Sequence, residues 1–293
     1  MAVAQFWRVL LAWGVLLLAA GCREEPAGPA PGAAGQAGPG PEEIARMNRE
    51  TAEKELNPKG LPVYSGPVGS VRGVVKVSGD EPPLVPEMVE KLPAGTCPNA
   101  HELHRKLYRQ GVDRTLADVL VAVTEYAGYL PARGEALRVE AKGCAFGSRV
   151  LAITFGQRVD VFNLDGQGYM PRLVGTPSYA LRVAMPGGAP VPLFAPKPGQ
   201  YLLMEQTRDY MRSDLFVLSY PTFAVTALDG RFEIGGIPAG NVKVTAYSPA
   251  LGKIVEQRVD VVAGAPVELT LNIAFSEPEY RERLKAAPSI PRQ

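Results

Sequence analysis

The chain of 293 residues contains only two histidines, three cysteines and two tryptophans, and its formal net charge is +1. A nearly balanced charge argues against a nucleic-acid-binding protein, which carries a basic surface, and against a strongly acidic partner. The sequence also lacks the G-x-S-x-G, H-E-x-x-H, C-x-x-C and C-x-x-C-H motifs. The sequence thus shows no motif for a nucleophile paired with a base, for a zinc protease, for a redox-active dithiol or for covalent haem attachment. We therefore expect a protein that is not an enzyme.

Glycine and proline are abundant instead, with 31 and 28 residues, and many of them separate short apolar runs. Such punctuation is typical of an all-β protein with many turns. Alternating residues predict a strand at Val68–Gly79, and a nearly continuous apolar strand ends the segment 114–128. Five strands are predicted over residues 222–273, with a tight hairpin at Asp229-Gly230 and a second turn at Pro238-Ala239-Gly240.

The N-terminal segment has the pattern of an export signal. Arg8 precedes an apolar run, residues 9–20, that is short for a membrane span. The run ends in Leu18-Ala19-Ala20-Gly21-Cys22, which resembles a bacterial lipobox. Residues 1–21 are thus predicted to be a lipoprotein signal peptide, and Cys22 to be the lipidated residue. Several acyl chains on one residue anchor a protein stably. The alternative is an ordinary secretory signal in which this cysteine occurs by chance.

Arg23, rather than aspartate, follows the cysteine. The resemblance to enterobacterial lipoproteins then implies an outer membrane lipoprotein facing the periplasm or the cell surface. Residues 22–62 are predicted to be a disordered tether rich in proline, glycine and alanine, plus a short polar helix over 42–56. In an oxidising envelope the remaining pair, Cys97 and Cys144, is expected to form a disulfide. Two free thiols are the alternative.

One cluster of residues has the composition of a metal site. Cys97, His101 and His104 could hold zinc or copper if Glu102 or a water completed the set. The alternative is a short solvated helix whose histidines are surface polar groups. A disulfide at Cys97 would favour the second interpretation.

Several stretches resemble a family of exported bacterial proteins in which a cupredoxin-like domain is joined to a carboxypeptidase-regulatory-like, transthyretin-type sandwich. The resemblance covers most of the chain from residue 68 to 273. It is carried by the following stretches: GSVRGVVKVSGDEPP, RTLADVLVAV, KGCAFGSRVLAITFGQRVDVFNLD, YPTFAVTALDGRFEIGGIPAG and AYSPALGK.

The resemblance implies an all-β fold of two β-sandwiches, in which a Greek-key cupredoxin-like domain is inserted in the regulatory-like one. The implied segments are 63–128 and 219–275 for the regulatory-like sandwich, 129–218 for the cupredoxin-like domain, and 276–293 for a C-terminal tail.

The resemblance also implies where copper ligands would lie. A histidine position falls at Tyr169, and the Cys-x-x-His-x-x-Met loop falls on Glu205, Arg208 and Met211. Only the methionine remains, although blue copper needs two imidazoles and a thiolate. We therefore expect a degenerate site with no metal or other cofactor. A Glu205–Arg208 pair could occupy the former ligand position.

The resulting functional hypothesis is a membrane-anchored, non-enzymatic envelope lipoprotein that acts as a binding or scaffold module. Its partner would be another envelope protein or a glycan, and not a nucleic acid. The alternative is a copper-binding or electron-transfer periplasmic protein that uses His101, His104 and a methionine. A second alternative is a carbohydrate-binding module with an exposed aromatic platform formed by Tyr126, Tyr129, Tyr179 and Tyr210.

Overall fold

A computed structural model describes residues 40–93, 95–176 and 182–286. The predicted signal peptide, Cys22, most of the predicted tether and Tyr179 lie outside the described residues. No helix among the described residues is long and apolar enough to span a membrane.

Fifteen strands dominate the described chain, so the all-β prediction is confirmed. The strands, in chain order, are β1 Val68–Gly79, β2 Leu120–Thr124, β3 Leu137–Lys142, β4 Ala145–Phe146, β5 Val150–Thr154, β6 Arg158–Asn163, β7 Pro171–Val174, β8 Val191–Phe194, β9 Gly199–Glu205, β10 Arg212–Leu218, β11 Phe223–Val225, β12 Arg231–Pro238, β13 Gly240–Ser248, β14 Lys253–Val261 and β15 Pro266–Phe275. The helices are α1 Pro41–Leu56, α2 Pro86–Lys91, α3 Pro98–His104 and α4 Glu277–Ala286. Sequence patterns did not predict α2 and α4, whereas α3 is the short helix of His101 and His104 that was one of two interpretations of that segment.

The strands form four sheets, which we call A to D. Sheet A has the order β12-β1-β15 and sheet B the order β11-β2-β13-β14. Sheet C has the order β5-β10-β9-β7 and sheet D the order β4-β3-β6-β8. Sheets A and B share one apolar core, and sheets C and D share another. The second pair, here called the inserted sandwich, thus lies between β2 and β11 in the sequence.

Strand β2 contributes to two cores at once. Val121 and Val123, together with Val119 just before the strand, face the core between sheets A and B. Leu120 and Ala122 face the opposite way, where they meet Phe216 of β10. Alternate side chains of a strand point to opposite faces of its sheet, so both faces of β2 are buried. This explains why the strand has no polar alternation in the sequence.

The turn at Asp229-Gly230 does not close a hairpin, contrary to the sequence prediction. The strands on either side, β11 and β12, belong to sheets B and A respectively. The chain therefore crosses between the two layers of the sandwich at this turn. Gly230 is required there, because it has a φ of +65° and a Cβ would lie 2.5 Å from the carbonyl oxygen of Val75.

Helix α1 is not fully solvated, although its sequence is polar. Ala45 and Ala52 are buried. A Cβ on Gly156, in the turn between β5 and β6, would lie 2.8 Å from the Cβ of Ala52. Two small residues thus let the helix lie directly on the inserted sandwich.

Candidate functional site

The four residues at the positions that the sequence resemblance assigns to copper ligands come together at one end of sheet C. Pro171 of β7 is paired with Glu205, the last residue of β9. The chain then turns through Arg208 and returns at Met211, whose carbonyl oxygen accepts a hydrogen bond from the Glu205 N–H at 3.0 Å. Tyr169 lies just before β7. The structure therefore brings Tyr169, Glu205, Arg208 and Met211 to the ends of neighbouring strands.

The Glu205 carboxylate binds the backbone around it. Its Oε1 accepts a hydrogen bond from the Met170 N–H at 3.1 Å. Its Oε2 accepts from the N–H and the hydroxyl of Thr207, both at 2.8 Å, and from the Arg208 N–H at 2.7 Å. Only 1% of the side chain is exposed. Burial opposes its ionisation, but these hydrogen bonds outweigh it and hold the pKa of Glu205 below its usual value.

Arg208 contributes less to Glu205 through its side chain than the sequence hypothesis supposed. Its Nη1 lies 3.6 Å from Glu205 Oε2, an ion pair longer than a hydrogen bond. Its Nη2 donates instead to Gln167 Oε1 at 3.1 Å. The guanidinium carbon also lies 5.4 Å from the centre of the Tyr169 ring.

Tyr169 is fully buried and joins this loop to the next one. Its hydroxyl donates to Asp165 Oδ2 at 2.6 Å and accepts from Gln167 Nε2 at 2.9 Å. Burial and the neighbouring Asp165 carboxylate raise the pKa of Tyr169 to about 12. At neutral pH the phenol is therefore protonated, which makes it a poor metal ligand.

Asp165 extends the network to the disulfide. Its carboxylate oxygens accept from the N–H groups of Gly143 and Cys144 at 2.8 and 3.0 Å. Cys144 is bonded to Cys97, as predicted. We call the connected set Asp165, Gln167, Tyr169, Glu205 and Arg208 the polar cluster.

The polar cluster does not fit the copper that the sequence resemblance implies. It offers a protonated phenol, a guanidinium cation, an amide and two carboxylates, of which Asp165 already accepts three hydrogen bonds and Glu205 four. Met211 is fully buried, and a thioether is only a weak axial ligand of copper. Across the described residues, no group of three or more histidine, cysteine, aspartate or glutamate side chains is placed to hold a metal ion.

The alternative metal ligands on α3 have other partners. Cys97 is bonded to Cys144, and His101 Nε2 lies 2.9 Å from the carbonyl oxygen of Pro93. His104 is not a surface group, as the solvated-helix interpretation supposed, because only 6% of it is exposed. Its Nε2 is buried and has no hydrogen-bond partner among the described residues.

The proposed aromatic platform is not exposed as expected. Tyr210 is buried beside the disulfide, with its hydroxyl 4.0 Å from Cys97 Sγ. Tyr126 and Tyr129 are only partly exposed, and the ring of Tyr126 packs against the core of sheets A and B. The described tyrosines of this set therefore serve mainly as packing residues.

A second group of polar residues, which the sequence analysis missed, lies where the two sandwiches meet. Asp118 accepts two hydrogen bonds from Arg109, both at 2.7 Å, and one from the Arg149 N–H at 3.3 Å. Asp118 is buried and has a φ of +61°, which is unfavourable for a residue with a Cβ. Its position inside the apolar run LADVLVAV was the only sequence signal.

Arg149 ties the end of α3 to the inserted sandwich. Its guanidinium donates to the carbonyl oxygens of Leu103, Lys106 and Leu107, the last at 2.7 Å. Burial lowers the pKa of Arg149 to about 10, so it remains a cation at neutral pH. Burial, together with the charges of Arg149 and Arg212, lowers the pKa of His104 to about 3. His104 is therefore neutral at physiological pH.

Comparisons with known proteins give only distant likenesses. A copper-containing nitrite reductase from Thermus scotoductus SA-01 is 19% identical with a TM-score of 0.25, over 32% of this chain and 24% of that chain. The chain thus spans about a quarter of the length of that enzyme. An amicyanin from Paracoccus versutus is 19% identical with a TM-score of 0.25, over 33% of this chain and 96% of that chain. At these TM-scores the likenesses carry no argument. No protein-family model and no curated protein matches the chain.

Replacement of Glu205 tests the role of its carboxylate. Glu205→Gln should lower the free energy of unfolding at pH 7 by about 1–3 kcal/mol, since backbone donors lose a charged acceptor. Because the pKa of Glu205 is lowered in the folded state, this contribution is present above about pH 4 and is lost as the pH falls through the folded pKa. Denaturant unfolding at several pH values measures the difference. The exposed control Glu55→Gln should change stability by less than about 0.5 kcal/mol, and an equal effect of both variants would contradict the assignment.

Replacement of His104 tests its burial as a neutral group. The unfolded chain takes up a proton on this histidine near pH 6.5, whereas the folded protein does so only near pH 3. Stability should therefore fall by up to about 1.4 kcal/mol per pH unit between these values, as acid favours the unfolded state. Denaturant unfolding should show a shallower pH dependence in His104→Gln.

The control is His101→Gln, which removes the other histidine and leaves His104 in place, so the loss of stability in acid that is due to His104 should remain. Parallel curves for wild type and His104→Gln would show that His104 is protonated in the folded protein.

Proposed function

We propose that this chain is an exported, lipid-anchored protein of a bacterial cell envelope that acts as a binding or scaffold module and not as an enzyme. In this proposal the inserted sandwich is a cupredoxin-like unit whose copper ligands have been replaced by the polar cluster. The partner would be another envelope protein or a glycan, and the membrane would be reached through lipid on Cys22.

The strongest support for the loss of copper chemistry is the set of residues at the assigned ligand positions. The positions assigned to three ligands hold Tyr169, Glu205 and Arg208. The side chains of Tyr169 and Arg208 bind Asp165 and Gln167, and that of Glu205 binds the loop backbone. A carboxylate that accepts four hydrogen bonds already holds the loop in place, which is a role that a metal ion would otherwise perform. In this proposal the inserted sandwich therefore retains the conformation of the loop between β9 and β10 but has no redox chemistry.

Copper titration tests this part of the proposal. Addition of Cu²⁺ to the wild-type protein under non-reducing conditions should give no intense visible thiolate-to-copper absorption. The triple variant Tyr169→His, Glu205→Cys, Arg208→His, with Met211 retained, supplies the ligand set of blue copper. If the positions are placed as in a cupredoxin, this variant should acquire that absorption.

The matched control carries Glu205→Ser in place of Glu205→Cys and should remain colourless, because it lacks the thiolate. An intense band in the wild type would overturn the loss of the site. A folded triple variant that binds no Cu²⁺ would overturn the placement of the ligand positions.

The lipid anchor is tested in bacterial cells supplied with radiolabelled palmitate. The full-length chain should incorporate the label and sediment with membranes, and Cys22→Ser should lose both properties. The control Cys97→Ser removes a different cysteine and should retain the label. Label that persists in Cys22→Ser would contradict the proposal.

A further inference from the structure

Strand β14 leaves one edge of sheet B open. It lies last in the order β11-β2-β13-β14, and all nine of its residues are paired with β13 without a register shift. Across the described chain, its backbone forms no hydrogen bond with any other segment. An edge strand presents alternate N–H and C=O groups with which a further strand can pair. Sheet B can therefore accept one more strand beside β14.

The length and composition of β14 distinguish it from the other edges. Of the eight edge strands in the described sheets, only β14 and β15 are longer than eight residues. Strand β15 has a single charged residue, Glu268, whereas β14 contains no proline or glycine and carries charges of both signs. Charged side chains often discourage edge pairing, so the order of these charges decides what the edge accepts. The charged residues of β14 are Lys253, Glu256, Arg258 and Asp260.

The sequence of β14 is complementary to itself in the antiparallel direction. A two-fold axis perpendicular to the sheet, drawn through Gln257, places this residue opposite Gln257 of a second copy. Glu256 of each copy then lies opposite Arg258 of the other, on the outer face of the sheet. On the face that packs against the core of sheets A and B, Val255 lies opposite Val259. Directly opposed residues of opposite charge stabilise an antiparallel pair.

Neighbouring registers lose this match. An axis through Glu256 places two glutamates opposite each other, and an axis through Arg258 places two arginines opposite each other and Glu256 opposite Asp260. Like charges in directly opposed positions are destabilising. In the register of Gln257, Asp260 lies instead opposite the uncharged Ile254. The charges of β14 therefore favour one register over those on either side of it.

Glu256 and Arg258 retain groups that a second copy could bind. Their side chains are 50% and 58% exposed. The contacts of Glu256 with Thr245 and Lys243, at 3.2 and 3.4 Å, both use Oε1, and Oε2 has no hydrogen-bond partner among the described residues. Arg258 donates from Nη1 and Nη2 to residues of its own copy, while Nε makes no hydrogen bond within the described chain. A cross-copy pair would thus extend an existing charge network, and networks contribute more than isolated surface pairs.

We propose that two copies of this chain associate through β14, in an antiparallel, two-fold arrangement centred on Gln257. Sheet B of one copy then continues into sheet B of the other. The opposed Glu256 and Arg258 set the register, and the opposed Val255 and Val259 continue the apolar face across the junction. This surface contains no residue of the polar cluster, so it stands independently of the function proposed above.

A cysteine at the axis tests this arrangement in the full-length chain. Gln257→Cys brings two thiols to directly opposite positions, where the Cα atoms of antiparallel strands lie about 4.5–5.5 Å apart. This separation is within the range that a disulfide bridges. A mild oxidant should therefore convert the variant to a covalent dimer on a non-reducing gel. The wild type, with its three native cysteines, gives the background.

The matched control is Asp260→Cys, an exposed position on the same strand. In the proposed register its two copies are six residues apart along the strands, or about 20 Å. No disulfide can span that distance, so this variant should remain monomeric under the same oxidation.

Charge reversal tests the register. In the Gln257→Cys background, Glu256→Arg opposes arginine to arginine and Arg258→Glu opposes glutamate to glutamate, so each should lower the yield of covalent dimer by about tenfold or more. A mixture of the two variants restores opposite charges, and the dimer should return as a heterodimer, which tags of different size identify. If a charge variant fails to fold, as judged by thermal unfolding, the comparison of Gln257→Cys with Asp260→Cys decides. The proposal is overturned if Gln257→Cys stays monomeric, if Asp260→Cys is crosslinked equally, or if folded charge variants are crosslinked as well as their parent.

Discussion

The burial of β2 on both of its faces is the constraint on which the rest of this structure depends. Its odd-numbered valines complete the core of sheets A and B, while Leu120 and Ala122 complete the contact with the inserted sandwich. Each face excludes water from apolar surface, and burial of a large aliphatic side chain contributes about 1.5–3 kcal/mol. The two sandwiches therefore share stabilising contacts through one strand. Asp118 lies two residues before β2, and it accepts hydrogen bonds from the Arg109 guanidinium and the Arg149 N–H at the same junction.

The polar cluster has a different role, because it holds the loop between β9 and β10 in place. A carboxylate at the end of β9 accepts hydrogen bonds from the N–H groups of Thr207 and Arg208, and so satisfies loop donors that would otherwise lack partners. The Asp165 carboxylate does the same for Gly143 and Cys144. Tyr169 connects the two loops through its hydroxyl. The cluster thus uses anions and backbone N–H groups where a metal centre would use soft ligands and a cation.

The local pattern of the sequence predicted much of the fold, but not the partners of its polar residues. Alternation and turn residues placed the strands of residues 68–79 and 222–273, because these signals depend only on neighbours in the chain. The same signals misassigned the turn at Asp229-Gly230, since a turn sequence does not reveal whether the chain stays in one sheet or crosses to another. The spacing of Glu205 and Arg208 placed them near each other, yet it could not show that backbone donors would occupy the carboxylate. Arg149 gave no signal, because its three carbonyl acceptors come from a segment more than 40 residues away.

The two polar regions differ in how completely their buried polar groups are paired. Every oxygen of Glu205 has donors, and its burial is offset by charge-assisted hydrogen bonds, so the cluster is complete without a ligand. At the junction, Arg149 and Asp118 are likewise saturated by the protein. His104 is not: its Nε2 is buried without a described partner, and such a group costs about 1–3 kcal/mol relative to a paired one. Gln110, Thr154 and Arg172 also have a buried polar atom without a partner, so His104 is one of four such residues in the described part of the chain. The buried imidazole, kept neutral by burial and by the charges of Arg149 and Arg212, therefore lowers stability at the junction, whereas the paired carboxylates of the polar cluster contribute to it.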